Sequence, residues 1–211
     1  MFILLGIFFS SFIVGLSGAL MPGPMLTVTI SQSAFRGWVV GPLVVLGHGI
    51  LELSLVVGVV YGLGEFLAQG PVIGTIGLVG GSVLLWMGGS MLRDAPRVSL
   101  IIKGDKGIAA LHPVWAGILS SLSNPYWIIW WATIGLSYIA FSQQYGKVGI
   151  SFFYSGHITA DLVWYALVAF LIHFGKRWIS DRTFRGVIAV CGVLLLAFGL
   201  YFGYSGVKKF W

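Results

Sequence analysis

"GHGILE" (residues 47–52) and "GHITAD" (residues 156–161) follow one pattern: glycine, histidine, three residues, then a carboxylate. Both copies lie inside long apolar runs. Between Arg36 and Glu65, His48 and Glu52 are the only residues charged or close to it at neutral pH. The i, i+4 spacing stacks histidine and acid on one face of a helix, about 6 Å apart. A chance polar pair has no reason to recur at the matching place, so the recurrence marks two related halves.

The setting makes the pairs costly. Of 211 residues, 58% are hydrophobic and 9% are charged, with a mean hydropathy of +0.97. Soluble domains carry about 25% charged residues. A bilayer core needs about 20 consecutive mostly apolar residues per helix, and the sequence predicts six such spans, at about 2–28, 38–61, 72–91, 113–139, 147–174 and 184–204. The runs are too long for barrel strands and do not alternate as such strands do. The chain is read as an all-α integral membrane protein with one transport domain over 1–211. Its connections are short, and the polar loop "RDAPRVSLIIKGDKG" (93–107) is the longest. Without a basic residue before Arg36, the first span reads as a mature helix rather than a signal peptide.

Cys191 is the single cysteine. It excludes a disulfide framework, a CxxC redox pair and a thiolate zinc site built by one chain. The formal charge of +6 is spread over short loops, which points to topology rather than to nucleic acid. Nine Lys and Arg residues fall on one side: Arg36; Arg93, Arg97, Lys103 and Lys106; Lys176, Arg177, Arg182 and Arg185. Three fall on the other: Lys147, Lys208 and Lys209. The positive-inside rule then places both termini outside. Trp38, Trp115, Trp178 and Trp211 stand near predicted span ends, as interfacial anchors do.

The first span contains "GALMPGPMLT" (18–27) and the fourth "SSLSNPYWII" (120–129). Proline removes a backbone donor, clashes with the preceding turn and pushes the residue before it out of helical geometry. Both spans are therefore expected to break, at Pro22-Gly23-Pro24 and at Asn124-Pro125. The order broken helix, acid-bearing helix, plain helix thus occurs twice. Three spans per repeat force the halves into opposite orientations, the inverted-repeat plan of many secondary transporters. Repeat one covers about 1–92, a loop 93–111, and repeat two about 112–211.

Acids inside membrane spans are rare and default to a functional role. Glu52 and Asp161, with His48 and His157, are the candidate proton-coupling groups. Burial disfavours a carboxylate's charge while a nearby imidazolium favours it, a balance that permits exchange near neutral pH. Pro22, Gly23, Pro24, Asn124 and Pro125 are the candidate substrate-binding residues. Helix N-termini there attract a carboxylate, and freed carbonyls attract an ammonium group. Trp127, Trp130 and Trp131 of "WIIWW" suit either a cavity wall or packing, while His112 and His173 sit near span ends.

The stretch "MPGPMLTVTISQSAFRGWVVGPLVVLGHGILELSLVV" (21–57) resembles the LysE-type translocators, small bacterial and archaeal exporters of amino acids and related solutes. The likeness extends over the whole length, through chain size, Pro-Gly-Pro in the first span, the basic central loop and Asn-Pro in the fourth span. Met25 stands where the family's motif continues with aspartate, and Tyr126 where related exporters often have lysine. The resemblance implies export of a small solute across the cytoplasmic membrane of a prokaryote. The alternative cargo is a divalent metal or other ion held by the two His/carboxylate pairs. No HExxH, GxSxG or Cys-His nucleophile pair is present, so neither an enzyme nor a cofactor is expected. Protons, the substrate and the lipid bilayer are the expected partners, and the sequence leaves open a homo-oligomer.

Overall fold

Among the described residues, three helices of this chain open on a proline. The computed structural model describes residues 1–21, 23–63, 69–97, 110–175 and 180–210. Helix α1 (Phe2–Ala19) stops short of Pro24, which opens α2 (Pro24–Arg36) as its first residue. Pro113 opens α5 (Pro113–Leu122), and Pro125 opens α6 (Pro125–Trp130). At a first helical position the missing N–H is no loss and the fixed φ is already helical. The remaining helices are α3 (Val40–Gly58), α4 (Gly70–Asp94), α7 (Leu136–Gln143), α8 (Gly146–Gly175) and α9 (Asp181–Val207). Wider π turns continue α3 through Val59–Leu63 and join α6 to α7 through Trp131–Gly135. The described residues contain no strand.

Among the described residues, five helices are long and apolar enough to cross a membrane: Phe2–Ala19, Val40–Gly62, Gly70–Arg97, Gly146–Gly175 and Asp181–Val207. The expected fourth span is built differently. Its residues form α5, α6 and α7, of 10, 6 and 8 residues, and no piece is long enough by itself. The expected first span likewise ends early at Ala19, and its continuation α2 runs on to Arg36. Both breaks fall at the predicted prolines; the short segments are what the missing N–H groups leave behind.

Glycine sets how closely the helices meet. A Cβ on Gly47 of α3 would collide with the Val114 carbonyl of α5, and one on Gly117 of α5 with the Val44 carbonyl of α3. Helix α1 lies on α8 in the same way: Gly156 faces Phe8 and Ser11, and Ser11 Oγ donates to the Phe153 carbonyl at 3.0 Å. Helices α4 and α9 pair along a third small-residue face, with Gly77 against Gly206 and Gly88 against Gly192. In lipid there is no hydrophobic gain between helices, so close backbone approach and dispersion hold such pairs. The result is a centre where α2, α3, α5 and α8 meet, with α1 laid on α8 and α4–α9 set against α6.

Apart from the buried Glu52 and Asp161, the charged residues described stay near helix ends. Arg36, the last residue of α2, donates through Nη1 to the Leu111 carbonyl (2.8 Å) and through Nη2 to the Ala110 carbonyl (2.9 Å). Gln32 Nε2 reaches the same Leu111 carbonyl at 3.3 Å. Arg93 pairs with Asp94 at 3.4 Å, well exposed. His112 caps α5, its Nδ1 accepting from Val114 N–H at 3.4 Å. Trp38 and Trp115 are exposed near helix starts. Pro22, Glu65, Lys103, Asp105, Lys106, Lys176, Arg177, Trp178 and Trp211 lie outside the described residues.

Candidate functional site

The two i, i+4 pairs face each other. His48 and Glu52 project from one side of α3, His157 and Asp161 from one side of α8, and all four are buried. His48 Nε2 lies 3.0 Å from Glu52 Oε1 and 3.7 Å from Asp161 Oδ2. His157 Nε2 lies 3.2 Å from Glu52 Oε2 and 3.6 Å from Asp161 Oδ2. One ligand-type atom from each of the four falls within 4.8 Å of the other three. With both imidazoles protonated this quartet is neutral; each proton lost leaves a buried negative charge, which is expensive in low dielectric.

Surrounding side chains fix the orientation of His48, Glu52 and His157. His48 Nδ1 is 2.7 Å from Ser121 Oγ on α5. When the hydroxyl proton of Ser121 goes to the Gly117 carbonyl at 2.7 Å, its oxygen is the acceptor for His48 Nδ1–H. That bond aims His48 Nε2 at the carboxylates. Glu52 Oε1 accepts two indole N–H groups, from Trp127 (3.0 Å) and Trp131 (2.8 Å). Trp130 stacks on the His157 ring at a 4.6 Å centroid distance and 28°. Gly15 of α1 backs the same ring: a Cβ there would lie 2.8 Å from His157 Nδ1. Tyr154 ties α8 to α3 beside the cluster, its hydroxyl donating to the Gly49 carbonyl at 2.7 Å.

The quartet opens onto a cavity that also meets both helix breaks. Gly18, Ala19, Met21, Gly23 and Met25 line one side; Ser121, Asn124, Tyr126, Trp127 and Trp130 line the other, with Tyr165 beyond Asp161. Its free volume is about 40 Å³, room for about three waters. Asn124 caps α6 by accepting from Tyr126 N–H through Oδ1 at 3.1 Å. A Cβ on Gly23 would lie 3.2 Å from Asn124 Nδ2, so the amide's donor end points at the first break. Gly23 itself caps α2 in extended geometry, and among the described residues no side chain caps the first-turn N–H groups of Met25 and Leu26.

Of the residues the sequence singled out, His48, Glu52, His157, Asp161, Gly23 and Asn124 are brought to one cavity. Pro24 and Pro125 act as helix openers at its edge. The tryptophans do both things open to them, since Trp127 and Trp130 wall the cavity while Trp127 and Trp131 bind Glu52. Ser121, Met21 and Tyr165 went unnoticed. Ser121 stands in the quoted "SSLSNP", but nothing in that string says that its hydroxyl meets a histidine 73 residues earlier.

Residues 16–206 match the LysE type translocator family. The chain belongs to that family. A relative in Bacillus subtilis, named "Putative amino acid efflux protein YcgF", is 28% identical over 97% of this chain and 99% of its own length. A second, the "Chemotactic transduction protein ChpE" of Pseudomonas aeruginosa, is 28% identical over 92% of this chain and 95% of its own. No solved structure matches. The protein is thus a multi-pass LysE-family membrane translocator, with a buried His/carboxylate quartet where its two broken helices approach.

Proposed function

We propose that the protein is a secondary exporter of amino acids or closely related small solutes in the cytoplasmic membrane of a prokaryote, driven by protons moving inward. One observation carries the reading: two imidazoles, two carboxylates and two helix breaks converge on a single cavity. An amino acid zwitterion needs a donor set and an acceptor set held apart. The uncapped first turn of α2 and the Asn124 amide supply donors for the carboxylate. Asp161 and Glu52 supply counter-charge for the ammonium. The efflux named for the Bacillus subtilis relative supports the same cargo.

Some of the helix pairings support an inverted repeat. Helix α1 lies on α8 as α5 lies on α3, while α3–α8 and α4–α9 are each a pair of counterparts. In this plan the termini face outside, and the ends of α2 and α5, tied by Arg36, face the cytoplasm. The cavity is too small for an amino acid as it stands. Loading therefore requires α2 and α5 to part on one side, and release requires α1 and α6 to part on the other. The quartet of Glu52, Asp161, His48 and His157 as a unit takes up and releases the coupled proton between these states.

The test is amino acid release into the medium from peptide-fed cells expressing the protein, with Asp161→Asn as control. Selective release by the wild type alone names the substrate. Absence of release, combined with protection against a divalent metal that is lost in His48→Ala and His157→Ala, transfers the quartet to the alternative cargo.

A further inference from the structure

The two carboxylates of the quartet are not equivalent. Glu52 Oε1 accepts from two indole N–H groups at 2.8 and 3.0 Å and stands 3.0 Å from His48 Nε2. An indole nitrogen only donates, so Oε1 has no room for a proton of its own. His157 Nε2 bonds the same Oε1 at 3.3 Å and lies 3.2 Å from Oε2. Oε2 is itself buried with no hydrogen-bond partner of its own among the described residues, so the asymmetry with Asp161 rests on the donors gathered at Oε1. Every group that meets Glu52 is a donor or becomes one on protonation, and charge-assisted bonds of this kind are about twice as strong as neutral ones.

Asp161 is held by nothing comparable. Its Oδ2 is buried with no hydrogen-bond partner among the described residues. The nearest imidazole nitrogens lie at 3.6 and 3.7 Å, outside hydrogen-bond range. The side chain lines the cavity, which has room for about three waters and hence for a proton relay.

Resting on the exporter reading for its transport consequence, we propose a division of labour: Asp161 takes up and gives up the transported proton, while Glu52 stays ionised as fixed counter-charge to the histidines. Trp127 and Trp131 are then positioning residues that keep Glu52 in that role. Asp161 takes one proton from outside as a substrate ammonium departs. It releases that proton to the cytoplasm as the next ammonium binds, so one proton enters for each molecule exported. The titratable or charged groups facing Asp161 are His48 and Glu52 from α3, His157 and Tyr165 from α8, and Tyr126 from α6. Helix α1 has no titratable side chain, and the single one on α2, Arg36, is at its far end.

Infrared difference spectroscopy of the purified full chain, between acid and alkaline buffer, reads this directly with the proton as the probe. The wild type is expected to show a buried carboxylic-acid carbonyl band that grows on acidification. Asp161→Asn removes that band and Asp161→Glu shifts it, whereas Glu52→Gln and Trp131→Phe retain it. A band that survives in Asp161→Asn and vanishes in Glu52→Gln overturns the assignment, as does a wild type with no such band. Gel filtration checks that each variant folds, and Trp131→Phe keeps the test standing if Glu52→Gln does not. In the peptide-fed release assay, Asp161→Asn is expected to lose at least about tenfold of gradient-driven export. If the band follows Asp161 while no variant or wild type exports an amino acid, the cargo reading fails and the proton assignment stands.

Discussion

Replacing Gly117 with alanine adds one methyl group at the tightest crossing in the structure. Its Cβ would sit against the Val44 carbonyl of α3, close to His48 N as well (3.2 Å), and neither backbone atom can rotate aside. Restoring ordinary contact requires α3 and α5 to part by on the order of 1 Å, an overpacking distortion that costs roughly 1–3 kcal/mol. The same shift lengthens the His48 Nδ1–Ser121 Oγ bond from 2.7 Å to beyond the limit of a hydrogen bond. Losing that bond adds about 1 kcal/mol, for a total of roughly 2–4 kcal/mol. His48, no longer aimed, also loses its place opposite the carboxylates, so export falls further than stability does. Gly89→Ala is the matched control, because a Cβ there meets nothing within 4 Å. In a helix interior the same change is favourable by up to about 1 kcal/mol. Thermal unfolding in detergent and substrate release in cells measure both. A Gly117→Ala protein with wild-type melting temperature and wild-type export would refute the claim that this crossing positions the site.

Other consequences are read in the same assays. Ser121→Ala removes the partner of His48 Nδ1 without adding bulk; export is expected to fall by several-fold and the melting temperature by the few degrees that the ~1 kcal/mol of one lost bond represents. Trp131→Phe is expected to impair export more than Trp127→Phe, because the Trp131 bond to Glu52 is shorter and fully buried; equal effects would remove the distinction. Arg36→Ala leaves only the 3.3 Å Gln32 bond between α2 and the 110–111 carbonyls, and a cysteine at Leu111 is expected to react faster with a thiol reagent in that background than beside native Arg36. A cysteine replacing Lys147 should label from outside intact cells and one replacing Arg185 only after permeabilisation; the reverse pattern inverts the proposed topology.

Hydropathy and proline carry nearly everything that was legible beforehand, and they do so because both act locally. Apolar length predicts where helices lie, and the missing N–H of Pro24 and Pro125 predicts where two of them end. The i, i+4 acid pairs were visible for the same reason, since residues four apart share a helix face whatever the tertiary structure. What stayed hidden depends on which helices touch. Glu52 finds its indole donors 75 and 79 residues away, and His48 finds Ser121 at a distance of 73. No periodicity marks such partners.

The glycines join the two levels. "GHGILE" and "GHITAD" each open with the glycine that lets a neighbouring helix approach: Gly47 meets α5, and Gly156 meets α1. One residue later comes the histidine, placed by the helical turn on the side of the crossing that faces the centre. The glycine brings the broken helix close and the next residue reaches what that helix carries, so Ser121 lies under His48 and Gly15 under His157. The repeated motif is therefore a packing device as much as an ionisable pair. A substitution that enlarges either glycine should disable the histidine beside it before it disturbs the acid one turn further on.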